Sequence, residues 1–375
     1  GFAALGGVAT VLIAMPPVPA AWSAGGGAVL LAGLAVAVTI GAVVFLRRRL
    51  SGRARTAATV LAVAVGYILA RLSYESGSEA IEAVNPAATG YLGGFGLPVL
   101  FSWAVGGVLA AGAAWVIGKV ALGLRSDYLA IATLGIAEIL IFTMKNEDWL
   151  TRGVKNVTGL PRPVPYEVAL QEAPWFLALA ARLGQEPALF ASVFVKLCYT
   201  GLFATVLLVL YVLAERALNA PWGRMMRAIR DNRDAAEAMG KDVTGRHLQV
   251  FVLGSAVVGI AGAMLTTLDG QFTPGTYNPL RFTFLIWVMV IVGGSGNNRG
   301  AILGGFLVWF LWIEVETAGP LVMAALTSGL DPDTVLYDRL RDAGPHLRLF
   351  LMGLILLLVL RFAPRGLIPE EQVKR

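Results

Sequence analysis

The chain has 375 residues, of which 57% are apolar and only 14% charged, with a mean hydropathy of +0.71. A soluble domain carries about 25% charged residues, so a chain this apolar excludes a water-facing globular surface and requires helices that face lipid or one another. The net charge of +6 does not point to nucleic acid, because the basic residues sit in short clusters between apolar runs, as they do in membrane proteins with a positive inner side.

A helix needs about 20 apolar residues to cross a bilayer. The apolar runs predict an all-α, polytopic integral membrane protein of about ten spans, near 2–18, 27–46, 56–73, 97–118, 128–144, 189–213, 248–268, 282–294, 300–318 and 346–362. The chain begins at Gly1 rather than Met, and residues 2–15 have no basic stretch before them and Pro16-Pro17 after them. They read as a first span, or the remnant of one, rather than as a signal segment. The eighth run, Phe282–Gly294, is short enough to be re-entrant. The single cysteine, Cys198, lies inside an apolar run, so no disulfide framework exists within the chain.

The connecting loops give an orientation. Arg47, Arg48, Arg49, Arg53 and Arg55 follow the second span, Lys119 and Arg125 the fourth, and Arg216, Arg224, Arg227, Arg230, Arg233, Lys241 and Arg246 the sixth. Arg299 follows the eighth, and Arg361, Arg365, Lys374 and Arg375 end the chain. The opposite loops carry fewer than half as many cations: Lys145, Arg152, Lys155, Arg162, Arg182, Arg281, Arg339 and Arg341. The positive-inside rule then makes the first set cytoplasmic, with both termini inside. Two long outer loops, 145–188 and 319–345, hold prolines, with Trp149, Tyr166 and Trp175 in the first of them. Each is expected to contain a short interfacial helix and to offer a surface to an extracytoplasmic partner, or to be plain connection.

The loop 215–247 is the longest charged inner segment. Pro221 opens a helix and Gly240 closes it. Met225, Met226, Ile229, Ala236 and Met239 recur at near-helical spacing, while Arg224, Arg227, Arg230 and Arg233 step along another side and Asp231, Asp234 and Glu237 follow. Three readings compete: a helix lying on the anionic inner leaflet, a solvated linker, and a docking helix for a soluble partner. A Met/Ala face without Trp or Phe is thin for insertion and suits an adaptable protein groove. The later acidic residues oppose an anionic membrane.

At this point the sequence resembles a known family. "RAIRDNRDAAEAMG" (Arg227–Gly240) is similar to the coupling loop of branched-chain amino acid ABC transporter permeases of the LivHM type. "LRSDYLAIATLGIAEIL" (Leu124–Leu140), "GLPRP" (Gly159–Pro163), "VIVGGSGNNRGAILGGF" (Val290–Phe306) and "PRGLIP" (Pro364–Pro369) follow in the family's order. The resemblance covers roughly residues 95–370. The family's early Gly-rich segment is not found; residues 56–95 offer only "ATGYLGGFGLP" (Ala88–Pro98), which resembles its end, and the first three spans do not match clearly. The chain thus divides into poorly matched N-terminal membrane segments, 1–55, and a permease transmembrane domain, 56–375, carrying the coupling loop 215–247.

The resemblance implies a transport subunit of an ATP-driven importer in the bacterial inner membrane, for branched-chain or other hydrophobic amino acids. It implies a second homologous permease, two cytoplasmic ATPase subunits that carry ATP-Mg, and a periplasmic solute-binding protein, with no cofactor on this chain. It assigns ATPase coupling to Gly223, Arg224, Arg227, Arg230, Asp231, Asp234, Glu237, Ala238 and Gly240. Urea or another short amide is an alternative solute. From another class, an ion-coupled secondary transporter would use Glu138 and Lys196 as its coupling pair, and a membrane scaffold would transport nothing.

Ionisable groups inside spans are costly and are functional candidates by default. Glu138 and Lys196 are such groups, with a structural pair or a snorkelling lysine as the plainer reading. Tyr128, Thr133, Tyr199 and Thr200 complete the translocation-pathway candidates, although Thr in membrane helices also bonds its own backbone. Asp127 is better placed as a helix cap. The glycines from Gly293 to Gly305 read as close helix packing; without Gly-Lys-Ser/Thr they are no phosphate loop, and the chain has no Walker A motif. His247 and His346 are far apart, so metal and nucleophile–base constellations are excluded. The chain is read as no enzyme.

Overall fold

The computed structural model describes residues 1–84, 94–124, 126–147, 156–329 and 334–370. Outside them lie Ala88–Gly93, Arg125, Trp149, Arg152, Lys155, Asp331–Asp333, Lys374 and Arg375, and the side chains of Asp127, Arg281 and Arg341. The described chain is helical almost throughout, and all ten expected spans are helices. Seven are long and apolar enough to cross a membrane. The remaining three, α1 (Phe2–Ala14), α12 (Pro279–Gly293) and α15 (Leu347–Phe362), have 13, 15 and 16 residues. At about 1.5 Å per residue they fall short of the hydrocarbon thickness. Two compact units result, Gly1–Leu208 with Arg224–Tyr277, and Val209–Gly223 with Asn278–Arg375.

The first unit is built on α1, α4 (Val99–Ala121) and α11 (Val243–Asp269). In lipid, helices gain little from apolar contact alone, so they associate where small residues let backbones touch. That rule selects these three. A Cβ on Gly6 would strike the Gly259 carbonyl, one on Gly262 the Ala3 carbonyl, and one on Gly259 the Gly106 carbonyl. Ala4, Ala9, Thr10, Val11 and Ala14 are buried, so α1 is enclosed by protein rather than spread against lipid. Its last carbonyls and that of Met15 are satisfied by an irregular segment of chain: Phe95, Gly96 and Leu97 donate N–H to Leu12, Met15 and Ile13 at 3.0, 2.8 and 2.9 Å. Irregular backbone is tolerated at membrane depth only where protein supplies such partners.

Helices α2 (Pro19–Arg49) and α3 (Gly52–Val84) form a long hairpin, with Gly25 against Gly77 and Gly66 against Thr39. The loop 145–188 supplies two short helices among its described residues, α6 (Glu167–Glu172) and α7 (Pro174–Arg182), where the sequence asked for one. Phe176 is fully buried, stacked on Phe190 at 4.9 Å and edge-on to Phe194 at 5.6 Å, which fixes α7 to the start of α8 (Pro187–Asn219). A two-residue antiparallel ribbon pairs Val157–Thr158 with Gln271–Phe272.

In the second unit α12 and α13 (Asn298–Thr327) form a glycine-turned hairpin that buries Leu285, Val288, Val292, Val308 and Trp312 with Met352 of α15. The Gly319-Pro320 step does not end α13 as the sequence suggests; the helix runs through Pro320 to Thr327. A proline removes one backbone donor, a loss that membrane helices accommodate. Among its described residues the loop 319–345 keeps one short α-helix beyond the end of α13, α14 (Val335–Asp342).

Candidate coupling segment and the polar core

The loop 215–247 begins where α8 ends. Helix α9 (Pro221–Asp231) starts at a proline, whose missing N–H costs nothing in a first turn. Gly223 is buried, and a Cβ there would run into the carbonyl oxygens of Ala217 and Leu218. This close crossing of α9 over the end of α8 is why the position is glycine. The sequence reading of one helix to Gly240 is corrected here. Asn232 adopts extended backbone and its Oδ1 accepts from Ala235 N–H at 3.0 Å, starting a separate helix, α10 (Arg233–Ala238). Asn in a helix interior competes for backbone bonds, which was the available signal.

Gly240, at φ +74°, closes α10 in the left-handed conformation. Lys241 N–H reaches the Ala236 carbonyl (3.1 Å) and Gly240 N–H the Glu237 carbonyl (2.9 Å), a Schellman ending. Asp242 then caps α11 by accepting from Gly245 N–H at 2.8 Å. Ile229, Ala236 and Val243 form a small buried cluster backed by Met225 and Met226. Met239, expected on that face, is instead 79% exposed, because the break at Asn232 resets the helical phase. Arg224, Arg230, Asp231, Asp234, Glu237 and Ala238 are exposed and Arg227 half-buried. Arg233 pairs with Glu237 at 3.1 Å. The result is a compact helix–turn–helix whose free side mixes charges with Ala235, Ala238 and Met239.

The approach to this segment is held from below. Glu215 accepts from Asn298 Nδ2 at 3.1 Å, and the Tyr211 hydroxyl accepts from Arg299 Nε at 3.2 Å. Asn298 and Arg299 open α13, directly after the turn from α12. The same turn is locked by the C-terminal segment: Leu367 and Ile368 donate N–H to Val292 and Gly293 (both 2.9 Å), and Asn297 Nδ2 donates to Pro369 (3.2 Å). Gly294 and Gly366 have positive φ and meet backbone to backbone. Two strings noticed separately in the sequence, around Gly294 and at Pro364–Pro369, are therefore one structural joint.

The pathway candidates do not converge. Tyr128, Glu138, Lys196 and Thr200 are exposed and Thr133 half-buried, on α5 (Ser126–Asn146) and α8. No ion pair joins Glu138 to Lys196 among the described residues. Thr133 and Thr200 donate to the carbonyls of Ala130 (3.0 Å) and Lys196 (2.8 Å) of their own helices. Tyr199 is buried, and its hydroxyl donates to the Thr267 carbonyl at 3.4 Å.

A polar core instead forms where α1, α4 and α11 meet. Trp103 Nε1 donates to Thr267 Oγ1 (2.9 Å), which donates to the Ala263 carbonyl (2.8 Å). Ser102 donates to Thr10 (3.3 Å), and Thr10 reaches the carbonyls of Gly6 and Ala263. The Tyr277 hydroxyl bonds Thr266 at 2.5 Å and the Gly262 carbonyl at 3.1 Å. Burial raises this phenol well above its ordinary range, so it remains a donor. Thr10, Ser102, Trp103 and Tyr277 carry no local signal in the sequence of their long-range partners.

Comparison with known proteins agrees with this architecture. The probable branched-chain amino acid transport permease protein LivM of Methanocaldococcus jannaschii is 29% identical over 163 residues, 44% of each chain. The high-affinity branched-chain amino acid transport system permease protein LivM of Escherichia coli K12 is 26% identical over 270 residues, 71% of this chain and 56% of the relative. The xylose transport system permease protein XylH of the same strain is 29% identical over 117 residues, 29% of this chain and 30% of the relative. The chain spans about half the length of the two LivM relatives. No solved structure matches. A family described as branched-chain amino acid transport system / permease component matches residues 1–360, and the chain belongs to that family of multi-pass membrane proteins.

Proposed function

We propose that this chain is the transmembrane permease subunit of an ATP-driven importer of branched-chain or other hydrophobic amino acids in a bacterial inner membrane, with both termini cytoplasmic. It pairs with a second, related permease. Two cytoplasmic ATPase subunits complete the assembly, one of them docking on residues 221–240, and a solute-binding protein delivers solute at the outer loops. The chain hydrolyses nothing itself; ATP-Mg belongs to the partners.

The observation that carries this reading is the shape of the segment from Pro221 to Gly240. Its inner side is fixed by Ile229, Ala236 and Val243. Its outer side offers small residues and Met239 between charges, a surface a protein groove can approach closely. Motion imposed on it is delivered directly to α11 through the Asp242 cap, and to the α12–α13 turn through Glu215 and Tyr211. Exposed Glu138 and Lys196 in otherwise apolar spans support a paired assembly, because lipid is a poor host for either.

The test is reconstitution with the partner permease, ATPases and binding protein in proteoliposomes. ATP-dependent uptake of a branched-chain amino acid is expected, together with co-purification of the ATPases. Substituting Glu237→Lys is expected to uncouple hydrolysis from uptake, and loss of the ATPases from the wild-type complex during purification would overturn the assignment.

A further inference from the structure

Five arginines, Arg47, Arg48, Arg49, Arg53 and Arg55, crowd the turn between α2 and α3, and no Asp or Glu precedes Glu75 anywhere in the chain. Glu75 is twenty residues beyond Arg55 on the same helix, about 30 Å away along its axis. Arg47–Arg49 in the last turn of α2 suit that helix's negative end. Arg53 and Arg55 in the first turn of α3 do the opposite, adding cations where the backbone is already positive and its N–H groups lack partners. None of Arg47, Arg48, Arg53 and Arg55 has an ion-pair partner among the described residues. Arg47 of one helix and Arg55, Thr56, Thr59 and Val60 of the other line a cleft of about 450 Å³, far more than the roughly 30 Å³ of a water molecule. Beyond it the hairpin is apolar and exposed, with Val44, Phe45 and Leu61 at the surface.

We infer that this cleft binds the phosphate headgroup of an anionic phospholipid. A positive inner side asks only for an excess of cations on that side; it does not ask arginines of two helices to converge on one cleft with a hydroxyl between them. The phosphate takes Arg47, Arg55 and the Thr56 hydroxyl by charge-assisted bonds, and the acyl chains lie along Val44, Phe45 and Leu61. Those apolar walls favour lipid over free phosphate. The inference needs only a membrane protein and stands apart from the transport reading.

The test is native mass spectrometry of the full chain, released from detergent after titration with phosphatidylglycerol, with phosphatidylcholine, and with phosphatidylglycerol in the presence of inorganic phosphate. The wild type is expected to retain phosphatidylglycerol over phosphatidylcholine. The pair Arg47→Gln with Arg55→Gln is expected to weaken retention by about thirtyfold, at roughly a five- to sixfold loss per surface arginine. The charge-matched pair Arg361→Gln with Arg365→Gln is expected to leave it unchanged. Equal retention of both lipids, or full retention by the first pair, would overturn the proposal. Displacement of the lipid by low-millimolar phosphate would make the ligand a free anion and overturn the lipid assignment. Thermal unfolding of each variant without lipid identifies any that fails to fold, in which case Arg47→Lys with Arg55→Lys, expected to restore retention, carries the test.

Discussion

Gly223 and Gly240 are glycines for different reasons, and that difference is measurable. At Gly223 the obstacle is space, since any Cβ meets the Ala217 and Leu218 carbonyls. Gly223→Ala should therefore cost about 1–3 kcal/mol through displaced backbone and weaken ATPase docking. At Gly240 nothing lies within 4 Å of a Cβ, so only the left-handed backbone resists substitution. Gly240→Ala should cost about 1 kcal/mol. Thermal unfolding in detergent ranks the two. A second contrast lies in the threonines. Thr267→Val strands the buried Trp103 indole N–H and should cost about 1–3 kcal/mol. Thr200→Val removes only a bond to its own helix on an exposed face and should stay within about 0.5 kcal/mol. Equal effects at the two threonines would show that the polar core is not a structural joint.

At the level of elements, the first turn of α13 is a clamp on the end of α8. Glu215→Ala removes the acceptor of Asn298, whereas Glu215→Gln keeps a carbonyl oxygen there. In a reconstituted complex we expect Glu215→Ala to lower solute moved per ATP hydrolysed and Glu215→Gln to preserve it. A parallel fall in uptake and hydrolysis would make the contact merely structural. Helices themselves were legible, since apolar length marks the spans and basic clusters mark the ends of most of them. The two helices of the coupling segment were not, because a single Asn232 side chain decides the break and its effect on Met239 is a matter of phase. The clamp was invisible for another reason. Asn298 and Glu215 are 83 residues apart, and no local pattern records such a pair.

For the whole molecule, charge placement and hydropathy were enough to read a multi-pass all-α membrane protein, and ordered motifs were enough to read the family. What they could not supply was which polar groups meet. Glu138 and Lys196 stood out as lone charges in apolar runs, yet the fold leaves both on outward faces and invests its buried polar bonds in Thr10, Ser102, Trp103, Thr267 and Tyr277. A second permease covering those faces would protect them: cysteine substituted at Leu134 of the same helix, exposed in the single chain, should react with a membrane-confined thiol reagent in the isolated subunit and be shielded in the complex. The central claim is that residues 221–240 turn a partner's ATP hydrolysis into transport. Its most direct test is uptake of a radiolabelled branched-chain amino acid and ATP hydrolysis measured together in proteoliposomes, for the wild type and for Glu237→Lys. The account expects ATP-dependent uptake in the wild type and uptake lost in the variant while the ATPases still hydrolyse. Uptake that survives without any ATPase and collapses with an ion gradient would contradict it.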